Sequence, residues 1–214
     1  MLRDRFGFDA KPSYTIGVNL NNNNLGFIRG IELDWQTTFW YLPGVLKSLV
    51  LNVNYTKSSS GIRYTVLTPT VTVVRDTLPN GRIIDRYLTS TVESSYKGRL
   101  VHQANDVLNV ALGADYKGFH SRLSFSMTGN VINSVGSRPE TAGFTGNIYR
   151  WDFTIKQELP IDGLSLSLNG TNIFHNPIKT YRKYRKDVDL PVTKNLVSIR
   201  YYPSVFSMNL RYSF

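Results

Sequence analysis

Cysteine is absent from the chain, which excludes a disulfide framework and any thiolate metal site. Charged residues are scarce, at 19% of 214 residues, low for a domain with a water-facing surface all round. No run of about 18 apolar residues occurs, so no transmembrane helix is possible. The opening stretch, MLRDRFGFDAKPSY, carries Arg3, Asp4, Arg5 and Asp9 and lacks the apolar core of a signal peptide. Either the chain is not exported or Met1 is not the natural start. A phosphate-binding glycine loop is missing too. His102, His120 and His175 do not stand at metal-ligand spacings. Ser124 and Ser126 lie near His120 but lack a nucleophile-elbow context. The chain is therefore expected to have no cofactor, no metal and no catalytic residue.

Aromatic residues are plentiful, with 13 Tyr and 11 Phe, and the net charge is +10. The mean hydropathy is −0.22. Average hydropathy, many aromatics, few charges and no long apolar run together fit a membrane β-barrel.

Strict alternation dominates the chain, the period of a strand with one apolar and one polar face. In FIRGIELDWQTTFWY (27–41), Phe27, Ile31, Leu33, Trp35, Phe39 and Tyr41 oppose Glu32, Asp34, Gln36 and Thr38. Fifteen alternating residues exceed the usual strand of about five or six. The pattern returns in LVLNVNYT (49–56), at 107–116, in FHSRLSFSMTGNV from 119, at 149–158, in LSLSLNGTN from 164, and in SVFSMNLRYSF at the end. The polar faces carry Arg122, Arg150, Asp152, Lys156, Glu158 and Arg211. A small barrel interior would have to pair every one of these; a wide lumen need not.

The connections sort by length. Those at 42–47, 117–118 and 160–163 are tight. Those at 57–105, 133–146 and 175–203 are long, the first holding a hairpin that turns at Pro79-Asn80-Gly81. Short and long alternate, as periplasmic turns and extracellular loops do in outer-membrane barrels. The last strand then ends at the periplasmic side. Its alternate residues Phe206, Met208, Leu210, Tyr212 and Phe214 read as the signal that the barrel assembly machinery binds by strand addition. Trp35, Tyr41, Tyr55, Tyr116 and Trp151 are candidates for the aromatic girdles at the two membrane interfaces.

The final long loop holds the densest charge, KTYRKYRKDVD. Between 175 and 203 seven positive side chains face two negative ones, half of the net charge of the chain. Lys179, Tyr181, Arg182, Lys183, Tyr184, Arg185 and Lys186 are candidates to contact an anionic ligand or the phosphates of lipopolysaccharide. Nucleic acid is not expected as a partner, since no recognition motif accompanies the charge.

Four pieces of the chain resemble the C-terminal part of TonB-dependent outer-membrane receptors of the Bacteroidetes type. They are GFIRGIELDWQTTFWYLPGVLKSLVLNVNYTKSSS, QANDVLNVALGADYKGFHSRLSFSMTGNVINSVG, LSLSLNGTNIFHNP and SVFSMNLRYSF. The resemblance implies an all-β, antiparallel, up-and-down transmembrane barrel segment of seven or eight strands, the last third of a barrel of about 22. Residues 1–23 would be a loop or, through YTIGVNL (14–20), one extra strand. The plug domain that couples to TonB has no counterpart, so the chain by itself should not transport. The parent protein would sit in the outer membrane, in contact with lipid and lipopolysaccharide, and import a scarce ligand such as a siderophore, a cofactor or a glycan. The alternative is a complete eight-stranded barrel with a structural or adhesive role.

Overall fold

A computed structural model describes residues 22–136, 141–184 and 193–214. The described chain is all-β and antiparallel, and its main sheet curls into a half-barrel. The strands are β1 (Phe27–Thr38), β2 (Leu49–Thr77), β3 (Ile83–Gly98), β4 (Asp106–Tyr116), β5 (Phe119–Thr128), β6 (Val131–Ser134), β7 (Gly143–Thr145), β8 (Ile148–Glu158), β9 (Leu164–Thr171), β10 (Ile178–Tyr184), β11 (Thr193–Arg200) and β12 (Val205–Tyr212). The main sheet runs β1-β2-β4-β5-β8-β9-β12, with β3 paired to the far half of β2. These seven path strands are the seven that alternation marks. β1 and β12 are its two ends. A strand at 14–20 lies outside the described residues.

Register turns the alternation into continuous rows. Trp35, Val53, Val110, Phe125 and Trp151 stand side by side across five strands. So do Leu51, Leu112, Leu123 and Phe153, and the row goes on through Gly170 to Phe206. The Phe153 ring lies over Gly170, filling the gap left by the missing side chain. The opposite face repeats the pattern in polar residues: Asp34, Asn54, Asn109, Ser126 and Arg150 form one row, and Gln36, Asn52, Ala111, Ser124 and Asp152 the next.

The rows climb relative to the strand ends. Leu49, the first residue of β2, shares a row with Ala114, Ser121, Ile155, Leu168 and Met208. Met208 stands four residues above the end of β12. At about 3.3 Å per residue and 4.8 Å per strand, this stagger corresponds to a tilt of about 30°. Tilt and stagger of this kind allow a sheet to close into a barrel.

No apolar core underlies the sheet among the described residues. Among the described residues Phe144 is the one buried hydrophobic side chain, and no side chain is fully buried. Along the apolar face Ile31 is 70% exposed, Trp35 60% and Met208 71%. Each such side chain left in water forgoes roughly 1.5–3 kcal/mol of burial. An uncovered face of this extent marks a surface that meets lipid or another protein.

Three connections gather at one end. Lys117 (φ 45°) and Gly118 (φ 75°) make a two-residue hairpin turn with both residues left-handed, the twist that matches flanking strands. A Cβ on Gly118 would also meet the Glu158 side chain at 3.0 Å. Gly118→Ala should therefore destabilise the fold by about 1–2 kcal/mol, measured by denaturant unfolding of the refolded protein in detergent. The connection after β1 departs from expectation. The strand stops at Thr38, not Tyr41, because Leu42 N–H donates back to the Phe39 carbonyl at 2.9 Å and a 3-10 turn, Gly44–Ser48, follows. The Leu159–Gly163 turn is tied to the chain end, where Ser213 N–H donates to the Gly163 carbonyl at 2.9 Å.

The opposite end carries extended structure where alternation suggested loops. β2 does not stop at Thr56. It runs on unbroken to Thr77 and pairs with β3 from Ile62↔Gly98 to Thr77↔Ile83, with Pro79-Asn80-Gly81 in the turn as expected. The β-branched run YTVLTPTVTVV keeps the backbone extended. Segments 133–146 and 175–203 are not simple loops either. Their strands join in a second sheet, ordered β11-β10-β7-β6.

Candidate functional site

Two surfaces carry chemistry: the polar face of the half-barrel and the second sheet at its mouth. On the polar face, charges stand in pairs, between neighbouring strands for Asp115 with Arg122 and within β8 for Arg150 with Asp152. Arg122 donates to both oxygens of Asp115, at 2.9 and 2.6 Å, and His120 Nδ1 lies 3.0 Å from the same carboxylate. Arg150 Nε donates to Asp152 at 3.0 Å, and Asp152 Oδ1 also accepts from the Asn172 backbone N–H at 2.8 Å. Asn54 donates to Glu32 at 3.0 Å and to Asp34 at 3.3 Å. A hollow of about 410 Å³ opens among Asp34, Asn54, Asn109, Ser126 and Asp152. These pairs are half-exposed, so each adds only tenths of a kcal/mol to about 1 kcal/mol. They make the face wettable and hold its side chains in place.

Gly113 makes the Arg122 geometry possible. A Cβ there would collide with the Arg122 side chain and lie 2.5 Å from the Ser121 carbonyl oxygen. Strand propensity alone favours valine over glycine, but the carbonyl cannot step aside. Gly113→Val should cost about 1–3 kcal/mol through overpacking, read as a lowered unfolding midpoint, and should release Arg122 from Asp115.

The aromatic candidates separate by height. Tyr41 and Tyr116 lie at the tight-turn end, with Trp40 against Tyr41 (5.8 Å between centroids) and Tyr212 against Phe214 (6.2 Å). Trp151 lies near the start of β8, among Phe125, at 4.7 Å, and Phe174, at 5.7 Å. Tyr55 donates its hydroxyl to Asp106 at 2.8 Å, and Lys57 pairs with the same carboxylate at 2.9 Å. Trp35 shares its row with Trp151 although it sits near the opposite strand end, a consequence of the tilt. Phe206, Met208, Leu210 and Tyr212 lie on the apolar face of β12, Phe214 follows two residues past its end, and all five are exposed.

The ribbon β2–β3 is anchored where it leaves the sheet. The Tyr64 hydroxyl donates to the Arg99 carbonyl at 2.8 Å, and Arg99 Nη2 donates to the Asn130 carbonyl at 3.0 Å. Burial pulls the Arg99 pKa below its ordinary value and pushes the Tyr64 phenol up. Farther out, the ion pairs Arg75–Asp85 (3.1 Å) and Arg86–Asp76 (3.2 Å) brace the two strands.

The second sheet rearranges the basic run. Lys179, Arg182 and Lys183 lie on β10, a strand and not a solvated loop, so alternation sends Arg182 to the face opposite Lys179, Tyr181 and Lys183. Tyr184 ends β10 opposite Thr193; Arg185 and Lys186 lie outside the described residues. Tyr181 is engaged within the sheet: its ring stacks on Phe144 at 5.5 Å and 19°, and Lys194 Nζ lies 4.0 Å over it. Lys194 also stands directly opposite Lys183. A cleft of about 420 Å³ opens beside this cluster, lined by Lys179, Lys194, Tyr181, Tyr149 and three asparagines, Asn130, Asn147 and Asn176. Sequence reasoning did not single out Lys194, Phe144 or the asparagines as a site. They come from segments up to about sixty residues apart and carry no local motif.

The remaining histidines are structural in setting. His102 and His175 both have positive φ, and His175 Nδ1 lies 3.3 Å from the Ser204 hydroxyl, which itself donates to the Asn172 carbonyl at 2.6 Å. Among the described residues no group of three metal-ligating side chains converges. No family model, no curated protein and no solved structure matches the chain.

Proposed function

We propose that this chain forms the C-terminal barrel wall of an outer-membrane receptor of the TonB-dependent kind, whose whole molecule imports a scarce ligand such as a siderophore, a cofactor or a glycan. The observation that carries the reading is the eight-stranded sheet, seven strands on its path, with one uncovered apolar face, one polar face and, among the described residues, two unpaired edges. In a bilayer each unpaired backbone group on β1 and β12 would cost several kcal/mol. Further strands on both edges remove that cost, as they would in a barrel of about 22. The four pieces that resemble the receptors fall on β1–β2, β4–β5, β9 and β12, which supports the same reading. Tight turns at one end and extended structure at the other match periplasmic and extracellular sides.

The test is the size and behaviour of the native product. An antibody against residues 205–214 should detect, in outer-membrane fractions of the source cell, a heat-modifiable band several times heavier than 24.3 kDa. A heat-modifiable band near 24.3 kDa would replace the reading with a small closed barrel. Absence of any band from the membrane fraction would overturn it.

A further inference from the structure

We propose that the cleft between the second sheet and the start of β8 binds an acidic saccharide, a polyhydroxylated ligand carrying carboxylate, sulfate or phosphate groups. The inference rests on the reading above that this end faces the outside of the cell. Charge is the first argument. The four strands of the second sheet contain Lys179, Arg182, Lys183, Lys194 and Arg200 and not one acidic residue. Every other charged cluster described, on the polar face or along the ribbon, contains its own counter-charges. Lys183 and Lys194 are held directly opposite each other, an arrangement that costs stability until an anion lies between or beside them.

The lining selects within anions. Asn130, Asn147 and Asn176 present amides that both donate and accept, the chemistry that matches neighbouring hydroxyls. The Tyr149 hydroxyl joins them, already accepting from Asn147 at 3.0 Å. Among the cleft residues there is no Leu, Ile, Val, Met or Phe to receive an acyl chain. A flat aromatic ligand is disfavoured because a lysine caps the Tyr181 ring. The volume of about 420 Å³ lies in the range of small-molecule sites.

The experiment uses the full natural protein, purified in detergent and shown to be heat-modifiable, so that failure of the membrane-barrel reading is seen before binding is measured. It is applied to an array of neutral, carboxylated, sulfated and phosphorylated saccharides. Binding should be confined to the acidic ones. Lys179→Gln and Lys194→Gln, each still heat-modifiable, should weaken it at least about tenfold, the worth of one charge-assisted hydrogen bond. Lys47→Gln, at the opposite end, should leave it unchanged. Vesicles containing lipopolysaccharide, compared with phosphatidylcholine vesicles, form a second arm. Retention by the former alone, lost in the same two variants, would identify the acidic sugar as membrane-borne; retention of free saccharides would identify it as soluble. Equal binding of neutral saccharides, acidic binding indifferent to both lysines, or no binding in either arm would overturn the proposal.

Discussion

Leu123→Arg should prevent stable membrane assembly, whereas Ser124→Arg, one residue along, should be tolerated. Leu123 sits mid-strand in the apolar row with Leu51, Leu112 and Phe153. Ser124 sits on the polar face between Ala111 and Asp152, where an arginine finds a carboxylate within the next strand. A lipid-facing arginine near the midplane of a barrel costs about 2–4 kcal/mol, and a lumen-facing one little. That cost is a large part of the 5–15 kcal/mol that holds an ordinary domain folded. The measurement is the heat-modifiable fraction in outer membranes, followed by denaturant unfolding in liposomes. Equal effects at the two positions would mean that the apolar face is covered by protein and not by lipid.

The second large effect is expected at the chain end. Removal of 205–214 deletes β12, whose eight residues pair with β9 from Val205↔Thr171 to Tyr212↔Leu164. β9 would then become the edge, and the Ser213–Gly163 bond that ties the last turn would be lost. Assembly into the outer membrane should fall below detection, with the chain degraded before it reaches the membrane. Phe214→Ala leaves every ladder bond intact and tests the signal alone. Phe214 is fully exposed, two residues past the end of β12, with its ring beside that of Tyr212. If the terminal aromatic is read by the assembly machinery, this variant lowers the assembled amount several-fold without lowering the unfolding midpoint of the molecules that do assemble. A lowered midpoint with normal assembly would assign Phe214 a packing role instead.

Period-two patterning made most of the barrel wall legible before any coordinates. Leu108, Val110 and Leu112 against Asn109 and Gly113 specify a strand, its two faces and its span without reference to a partner. Lys117-Gly118 and Pro79-Asn80-Gly81 specify turns for an equally local reason, since left-handed backbone at a turn is a property of few residues. Adjacent hairpins then stack in chain order, so the sheet order followed as well.

Pairings made across long stretches of chain were not legible. β6 and β7 are four and three residues long and become strands only because β7 lies between β6 and β10 and pairs with both. Segments so short carry no periodicity, and the energy that extends them is the ladder itself. For the same reason KTYRKYRK reads as one basic patch in one dimension. Its described part, Lys179 to Tyr184 on β10, divides its cations between two faces and sends Tyr181 against Phe144. The cleft with Lys194 and its asparagines exists only once those distant segments meet. Local chemistry along the chain decided the wall, because each strand reports its own two environments; long-range pairing decided the mouth, because there the environment of each residue is another loop.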